Sequence, residues 1–359
     1  MNLLYVSIKN KDATGGSICR ENNKMALLSL GLQYYEYLME ITNSAINKAI
    51  SVLTGYKCGL SKYHIKMIVE FIKLQKIDVL FCDPSLYGIL IRQVKKRESK
   101  VKVISFFHNC EYILYSTAYS NSNWLIKKLI LNSVYKNEFL SAKLSDCCVF
   151  LTNRDINVIE NTYKIKPNKT YITPIVLNST YNYSKKIVLQ KTPSKLLFVG
   201  SYFSPNIDGL IWFSKEVLPY VDYTLTIVGK GFESKEFKQK LYCREKIELR
   251  GFVQSLDEVY ESCDIVVQPV FEGSGMKTKT AECLMYGKPL VTTSEGMVGY
   301  EISNSNLFVC DSADIFIKVL NNLKNIEIHN FYESLHDLFL NNYTIESRSK
   351  IFAKIIGEL

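Results

Sequence analysis

The second half of the chain alternates short apolar runs with longer amphipathic segments at regular intervals between Lys195 and Asn325. Short runs rich in Val, Ile, Leu and Phe are typical of parallel strands that helices cover on both faces. The predicted strands are Lys195–Val199, Tyr223–Val228, Ile247–Leu249, Asp264–Pro269, Pro289–Thr293 and Leu307–Cys310. The predicted crossover helices are Asn206–Pro219, Glu233–Tyr242, Ser255–Cys263, Met276–Tyr286 and Ser312–Asn325. This alternation predicts a doubly wound α/β domain.

The first half repeats this alternation less regularly. Its predicted strands are Asn2–Ile8, Tyr35–Ile41, Asp78–Cys82, Val101–Phe107 and Cys147–Leu151. Its predicted helices are Ser17–Leu30, Tyr63–Gln75, Pro84–Val94 and Leu125–Leu144. A chain of 359 residues is long enough for two domains, so we predict one domain at residues 1–177 and another at 195–330.

Two segments lie outside this alternation. Residues 178–194 are polar and without clear periodicity, and we predict that they form the linker between the domains. Residues 331–359 predict two helices, Phe331–Leu340 and Thr344–Leu359, that pack back on the first domain.

Composition limits the classes of function. Apolar residues make up 47% of the chain and charged residues 22%, which is typical of a globular protein that folds throughout. The net charge is +9, and basic stretches such as Gln93–Lys102 and Lys185–Lys195 would attract phosphate or anionic lipid, although they are also typical of solvated surface. Because no helix-turn-helix, zinc-finger or RNA-binding signature accompanies the charge, we do not expect a nucleic-acid partner.

Cysteine usage and the N-terminal sequence bear on localisation. The ten cysteines include no C-x-x-C pair and several lie in apolar runs, as expected for reduced core residues. Met1–Ile8 has the pattern of a strand rather than of a signal peptide, and no apolar stretch approaches the length of a membrane span. We therefore expect a cytoplasmic protein, with membrane contact limited to peripheral association.

The segment Phe271–Val291 carries the strongest chemical signal. Its predicted helix ends at Gly287, where a left-handed C-cap is needed, and Pro289 prevents continuation. Lys277 and Lys279 fall in the first turn, where the helix dipole makes a cation cost roughly 0.3–1 kcal/mol. A phosphate bound at the helix start would make the two lysines stabilising instead of destabilising. The alternative interpretation is that both are solvated surface lysines.

Glycine-containing loops follow the predicted strands of the second half, at Gly200–Pro205, Gly229–Gly231, Gly251–Gln254 and Phe271–Gly275. Since ligands of doubly wound sheets bind beyond the carboxyl ends of the strands, these loops are expected to line one rim. In the first half, the loop Lys11–Ser17 contains Gly15 and Gly16 and offers Ser17 as an N-cap.

These residues resemble the family 4 glycosyltransferases of the GT-B fold, particularly bacterial surface-polysaccharide enzymes. The resemblance rests on Leu196–Phe213 and Gly273–Val291, with V-G-K-G, L-R-G-F-V and C-D-I-V-V-Q-P in order between them, and on Phe106–Tyr112 and Val149–Asp155. It implies two doubly wound, Rossmann-like domains with a cleft between them. It also implies a nucleoside-diphosphate sugar as donor and a glycan or lipid-linked oligosaccharide as acceptor.

The resemblance implies roles for individual residues. Glu282 would accept hydrogen bonds from the ribose hydroxyls, Lys277 with Lys279 would hold the diphosphate, and His108 would face the donor sugar. The implied catalytic residues are His108, Lys277 and Glu282. The implied donor-binding residues are Gly15, Gly16, Gly200, Ser201, Asn206, Gly229, Gly251, Phe252, Val253, Glu272, Gly273, Ser274, Gly275, Met276, Lys277, Lys279 and Glu282.

The chain departs from the family at two positions. Many relatives carry a glutamate eight positions before the one at Glu282, but Ser274 stands there and Glu272 is two residues too early. Either Glu272 shifts into the site or Ser274 and neighbouring amides take its place, which leaves the sugar open. The arginine usual after the first donor-domain strand is also missing.

The resemblance further implies transfer with retention of anomeric configuration and without a metal or other cofactor, and no Asp-x-Asp pair occurs in the chain. A GT-B nucleotide-sugar epimerase and an inactive nucleotide-sugar-binding subunit are the alternatives, because a fold alone does not determine function. The single residues also have structural interpretations: a hydrogen-bonded His108, an N-cap at Asn206, and an ordinary pairing of Glu282 with Lys279.

Overall fold

The computed structural model describes residues 1–9, 15–41, 54–120, 122–178, 181, 190–273, 275–301, 304–329 and 331–359. The chain divides into two compact units. The first unit comprises Met1–Pro174 and Ile345–Leu359, and the second unit comprises Ile175–Thr344.

The first unit is built on a six-stranded parallel sheet in the order β2-β1-β3-β4-β5-β6. Its strands are β1 (Asn2–Ile8), β2 (Gln33–Met39), β3 (Val79–Cys82), β4 (Lys102–Phe107), β5 (Cys147–Phe150) and β6 (Thr170–Ile172). Its helices are α1 (Gly15–Leu28), α2 (Lys62–Leu74), α3 (Gly88–Arg97), α4 (Glu111–Ala118), α5 (Trp124–Leu144), α6 (Asn153–Tyr163) and the last helix of the chain, α13 (Ile345–Gly357). The central strands are buried on both faces, as their continuous apolar sequences predict.

Three elements of the first unit were not predicted, namely α4, α6 and β6. The helix predicted at Pro84–Val94 begins later, at Gly88. A Cβ at Gly88 would lie 2.0 Å from the carbonyl oxygen of Asn137, so the helix start is fixed by close packing on α5. Such a contact is invisible in the local sequence.

The second unit repeats the architecture, with sheet order β10-β9-β8-β11-β12-β13. Its strands are β8 (Lys195–Val199), β9 (Thr224–Val228), β10 (Ile247–Arg250), β11 (Ile265–Gln268), β12 (Leu290–Thr292) and β13 (Leu307–Val309). Its helices are α7 (Ser204–Glu216), α8 (Lys235–Lys240), α9 (Asp257–Ser262), α10 (Thr278–Met285), α11 (Ala313–Lys324) and α12 (Glu333–Asn342). All six strands lie where the apolar runs predicted them, and the two parallel sheets confirm the α/β class.

The segments around the second unit differ from the predicted organisation. Within the predicted linker, β7 (Gln190–Lys191) pairs antiparallel with β14 (Ile328–His329), while residues 179–180 and 182–189 lie outside the described residues. The two C-terminal helices were predicted to pack together on the first domain, but α12 belongs to the second unit and only α13 to the first. The reason is a specific contact, because His336 of α12 bonds the carbonyl oxygen of Met285 through Nδ1 at 2.5 Å.

None of the helices in the described part of the chain is both long enough and apolar enough to cross a membrane.

Candidate functional site

The loops after β8 and β9 touch at two glycines. The N–H of Gly200 donates to the carbonyl oxygen of Val228 at 3.0 Å. A Cβ at Gly229 would lie 1.8 Å from the carbonyl oxygen of Gly200, and Gly229 has a φ of +148°. Only glycine fits this conformation and this close approach. The glycine-containing loops after β8, β9, β10 and β11 are called the glycine rim below, and the first two of them pack tightly at the carboxyl edge of the sheet.

Glu233 joins two further loops of this rim. Its carboxylate accepts from the N–H of Gly231 at 2.7 Å and lies 3.0 Å from the position of a Cβ on Gly251. Beyond it, Phe252 is 74% exposed and Val253 is half-buried. The sequence did not single out Glu233, because an acidic residue near a helix start is too common to stand out.

Helix α10 begins two residues later than predicted. Gly275 has a φ of +63° and Lys277 is extended, so the first helical residue is Thr278 and Lys277 is the N-cap residue. Met276 lies before the helix, where its sulfur accepts from the N–H of Ile175 at 3.2 Å. The predicted left-handed turn after the helix is confirmed, since Gly287 has a φ of +57°.

Lys277 lies between backbone and a carboxylate. Its Nζ is 2.7 Å from Oε1 of Glu295 and 3.1 Å from the carbonyl oxygen of Gly275. The hydroxyl of Tyr300 donates to the Lys277 carbonyl oxygen at 2.7 Å, which fixes the backbone. Lys277 and Glu295 side chains are only 11% and 16% exposed. Lys277 is therefore not a solvated surface lysine, because it pairs with Glu295, and the binding of a phosphate beside it stays a prediction.

Lys279 connects α10 to the loop after β8. Its Nζ donates to Oδ1 of Asn206 at 2.5 Å and lies 4.6 Å above the ring of Phe198. Asn206 in turn donates to the carbonyl oxygen of Ser201 at 2.8 Å. Burial lowers the pKa of Lys279 to about 7, against the charge of Glu282, which raises it. Of the predicted site residues, the structure thus brings Ser201, Asn206 and Lys279 into one network.

The alternative interpretation of Asn206 as an N-cap is wrong. Helix α7 begins at Ser204 and has Phe203 at its N-cap position. Asn206 is the third helical residue, and both ends of its amide are used in the bonds to Ser201 and Lys279. Asn206 therefore connects the loop after β8 to α10 and does not cap α7.

Glu282 lies farther along α10. Its Oε2 accepts from the hydroxyl of Tyr260 at 3.4 Å, a long hydrogen bond that leaves the carboxylate with spare acceptor capacity. Burial raises the pKa of Glu282, although the charge of Lys279 opposes the shift. Tyr260 stacks on Tyr286 with ring centroids 4.2 Å apart, which holds the hydroxyl in place.

Gly273 belongs to the same loop as Lys277, whereas Glu272 faces a neighbouring pocket. A Cβ at Gly273 would lie 3.1 Å from Nζ of Lys277, so backbone packs directly on the lysine. Glu272 and Trp212 line a pocket of about 540 Å³ between α7 and the start of α11. Ser274 lies outside the described residues.

In the first unit, His108 follows β4 and is buried. Its Nε2 is 2.5 Å from Oδ1 of Asp83, which follows β3. Burial alone would lower the pKa of His108, but the Asp83 charge outweighs it and raises that pKa to about 10. The interpretation of His108 as a hydrogen-bonded structural residue therefore agrees with its contact to Asp83. A role of His108 toward the donor sugar stays a prediction.

Gly15 and Gly16 form the start of α1, and residues 10–14 of the predicted glycine loop lie outside the described residues. Ser17 is the third residue of the helix, so its prediction as an N-cap is wrong.

Sequence reasoning missed Asp83 and Glu138. Asp83 directly follows a buried strand, which is a usable signal, but the Asp-Pro pair was interpreted as a helix start. The start of α4 is capped by Glu138 of α5, whose carboxylate accepts from the N–H groups of Glu111 and Tyr112 at 2.9 and 3.0 Å. That cap comes from a residue distant in sequence, which local patterns do not reveal.

Comparison with known proteins identifies the second unit. Residues 193–325 match the family model described as glycosyl transferases group 1. Over this range the chain is similar to the group 1 glycosyltransferases. The matched range contains the glycine-containing loops together with Lys277, Lys279 and Glu282, so the resemblance predicted from the motifs is confirmed for these residues.

Three further proteins resemble this chain. An uncharacterized 44.6 kDa protein in the cps region of Klebsiella pneumoniae is 25% identical over 311 residues, covering 82% of this chain and 76% of that protein. The lipopolysaccharide outer core galactosyltransferase WaaB has a TM-score of 0.61 at 12% identity, with both chains fully covered. HepE of Anabaena, solved in complex with UDP, has a TM-score of 0.62 at 11% identity, again over both whole chains. The two structural likenesses confirm the GT-B fold.

Proposed function

We propose that this glycosyltransferase moves a sugar from a nucleoside-diphosphate sugar to a glycan or lipid-linked acceptor in surface-polysaccharide synthesis. We further propose that transfer retains the anomeric configuration and needs no metal. The observation that carries the proposal is one short helix, α10, which presents Lys277 and Lys279 at its N-terminus and Glu282 farther along.

The diphosphate is assigned to the start of α10. The first N–H groups of a helix point outward and carry partial positive charge, and here two ammonium groups add to it. Glu295 supplies the negative charge beside Lys277 in the present arrangement. A diphosphate oxygen would make the same kind of charge-assisted bond to Lys277. Proton uptake by Lys279, whose pKa is lowered to about 7, would accompany binding above that pH.

The ribose is assigned to Glu282. It lies five residues beyond Lys277, which corresponds to about one and a half helical turns and about 7 Å of rise. That distance suits a nucleoside attached to a diphosphate. An ionised carboxylate only accepts hydrogen bonds, and two ribose hydroxyls are donors that fit it.

The chemical step requires stabilisation of the departing diphosphate as its negative charge grows. Preorganised amides and lysines provide this stabilisation electrostatically, so the charge of a metal ion is not needed in this proposal. The acceptor hydroxyl would attack on the face that the leaving group vacates, and its proton would pass to a donor phosphate oxygen. No separate base is required for that route.

The relatives support the class of substrate. The structure of HepE contains UDP, and the name of WaaB describes a galactosyltransferase of lipopolysaccharide outer core. The Klebsiella relative is encoded in a cps region. These descriptions favour a nucleotide-sugar donor and a polysaccharide product for the present chain.

A ligand screen tests the donor assignment. We expect one class among uridine, guanosine and thymidine diphosphate sugars to raise the Tm by about 5 °C or more at saturation, because binding to the folded state stabilises it by mass action. The shift is expected to be equal with EDTA and with added Mn²⁺. Differential scanning fluorimetry followed by calorimetry measures both. If none of the three classes bound, the donor assignment would be wrong, and a shift lost in EDTA would contradict metal independence.

Peripheral membrane contact is proposed from an apolar patch in the first unit. We define the α4–α5 patch as Ile113 and Leu114 of α4 with Trp124, Leu125, Ile126 and Leu129 of α5. Each is at least 40% exposed, and Trp124 is 65% exposed. Lys128 of the same helix lies 5.8 Å above the Trp124 ring. Exposed apolar side chains beside lysines are typical of surfaces that bind anionic lipid, where an interfacial Trp is favoured.

Vesicle binding tests this contact. In a Trp212→Phe background, Trp124 is the single tryptophan, and its emission is expected to shift to the blue with vesicles of anionic lipid. Leu125→Ser with Ile126→Ser is expected to abolish the shift and co-sedimentation. Leu74→Ser is the control, because Leu74 is 76% exposed on α2, outside the patch. Equal loss in the control, or binding to neutral vesicles only, would contradict the patch.

A further inference from the structure

A chain of buried hydrogen bonds runs from the last helix of the protein to His108. Nη1 of Arg348 donates to Oδ1 of Asn23 at 2.7 Å, and Nδ2 of Asn23 donates to Oδ2 of Asp83 at 2.8 Å. Asp83 then pairs with Nε2 of His108 at 2.5 Å. The hydroxyl of Tyr5 also donates to Asp83, at 2.9 Å. Helix α1, strand β1 and the loops after β3 and β4 thus meet at one carboxylate, and α13 joins them through Asn23.

Burial makes this arrangement costly unless it is fully paired. Arg348, Asn23 and Asp83 are completely buried, and His108 is 7% exposed. An ionised carboxylate without partners in such a place would be strongly destabilising, whereas Asp83 has donors on both oxygens. A network of this kind fixes the rotamer of each member, since any rotation breaks a buried hydrogen bond.

We infer that Asp83 is a positioning residue that holds the His108 imidazole in one orientation and as a cation at the carboxyl edge of the first unit's sheet. Helix α13 belongs to the same hydrogen-bond network, because its Arg348 bonds Asn23 and Asn23 bonds Asp83. The inference rests on the proposed function in one respect: sugar transfer is the reaction in which the fixed His108 cation would act.

The surrounding charges agree with a protonated His108. Cys19 faces it from α1, Glu111 from α4, and Asp83 from the end of β3, while the cations Arg20 and Arg348 act on Asp83 and on Cys19, respectively. Burial would lower the pKa of His108, but Asp83 and Cys19 raise it to about 10. Burial would likewise raise the pKa of Asp83, yet the charge and hydrogen bond of His108 lower it.

The environment of Cys19 shows the same pattern. Its sulfur lies 3.5 Å from Nη1 of Arg348. Burial would raise the pKa of the Cys19 thiol, but the charges of Arg348 and His108 lower it below the usual value. A histidine between Asp83 and a thiol of lowered pKa gains a proton more readily than one in water.

Histidine titration by NMR tests the inference without any substrate. The chain contains four histidines, so four ring signals are expected, and His108→Gln assigns one of them. We expect wild-type His108 to stay protonated through pH 8. In Asp83→Asn the carboxylate is gone while burial remains, so the midpoint is expected to fall below about 6.5. Tyr5→Phe removes one donor to Asp83 in an isosteric change and keeps the carboxylate charge, so His108 is expected to stay protonated through pH 8. If Asp83→Asn does not fold, the wild-type titration still decides whether His108 is a cation at pH 7.

A kinetic readout separates positioning from simple stability. With the nucleotide sugar identified in the screen, Asp83→Asn is expected to lower kcat about tenfold or more at pH 8 with little change in KM, and to move the alkaline limb of the pH profile to lower pH. Asp83→Glu is expected to restore part of the loss. Asp146→Asn is the control: Asp146 pairs with Lys95 in the same unit and bonds the N–H of Val103, and its replacement is expected to leave the pH profile unchanged.

The outcomes separate the two claims. A neutral His108 at pH 7 in the wild type, or an unchanged midpoint in Asp83→Asn, would overturn the positioning inference while donor binding stood. If the His108 midpoints were as expected but the protein bound no nucleotide sugar, the Asp83–His108 pair would be supported and the proposed function would be wrong. A shifted midpoint with unchanged kcat would overturn the link to transfer.

Discussion

Glu282→Ala is expected to lower the affinity for the nucleoside diphosphate identified in the screen by about tenfold to hundredfold, because it removes charge-assisted hydrogen bonds worth about 1.5–3 kcal/mol. The affinity for inorganic pyrophosphate is expected to stay unchanged, since that ligand has no ribose. Lys277→Ala is expected to lower both affinities by a similar factor. Calorimetry with the two ligands against the two variants measures the four values and assigns each end of α10 to one end of the donor.

Surface residues of the same type provide the controls. Glu258 is exposed on α9 and Lys240 forms an exposed ion pair with Glu236 on α8, so alanine at either is expected to leave both affinities within about twofold. A Glu282→Ala variant that lost pyrophosphate and nucleotide to the same extent would show that Glu282 supports the fold of the loop and does not contact ribose.

Gly209→Ala is expected to destabilise the second unit by about 3 kcal/mol or more. A Cβ at this position in α7 would lie 1.7 Å from the carbonyl oxygen of Pro269, just after β11, and neither backbone can move without separating helix from sheet. Helix α7 also carries Asn206, so the displacement is expected to weaken the bond to Lys279. Urea unfolding measures the change, with Trp124→Phe as background so that Trp212 of α7 reports on the second unit alone.

Gly357→Ala is the matched control for this substitution. Gly357 ends α13, and nothing lies within 4 Å of the position of its Cβ. Alanine there is expected to be neutral or slightly stabilising, because it has the higher helix propensity. A loss below about 1 kcal/mol in Gly209→Ala would show that α7 tolerates displacement from β11.

Elements that depend on local sequence were predictable. The six strands of the second unit follow from apolar runs of the right length, and the turn at Gly287 follows from the need for a positive φ after a helix. The predicted helix starts were less accurate where the residues that fix the start lie in other loops or helices. Lys277 is the N-cap of α10 because Gly275 takes a positive φ and Glu295 holds the lysine side chain, and the second of these is a contact between different loops.

Some features of the candidate site were likewise predictable from the local sequence, and others were not. The motif predicted that Lys277, Lys279 and Glu282 share one helix; Lys279 and Glu282 do lie on α10, and Lys277 is its N-cap residue. It did not predict that Lys279 would bond Asn206, 73 residues earlier, because which loop residues meet depends on strand order and on how two glycines pack. The two C-terminal helices were also divided between the units by contacts that no periodicity encodes.

By itself, the sequence determined the α/β class, the strands, the glycine rim and the positive start of α10, because each depends on residues that are neighbours along the chain. Only the tertiary structure decided the ionic partners: Glu295 for Lys277, and Asp83 for His108. Both pairs join loops that follow different strands, so they form only after the sheet has brought those strands together. The charge state of a buried group follows from such partners and from the loss of water, and neither is written in the local sequence.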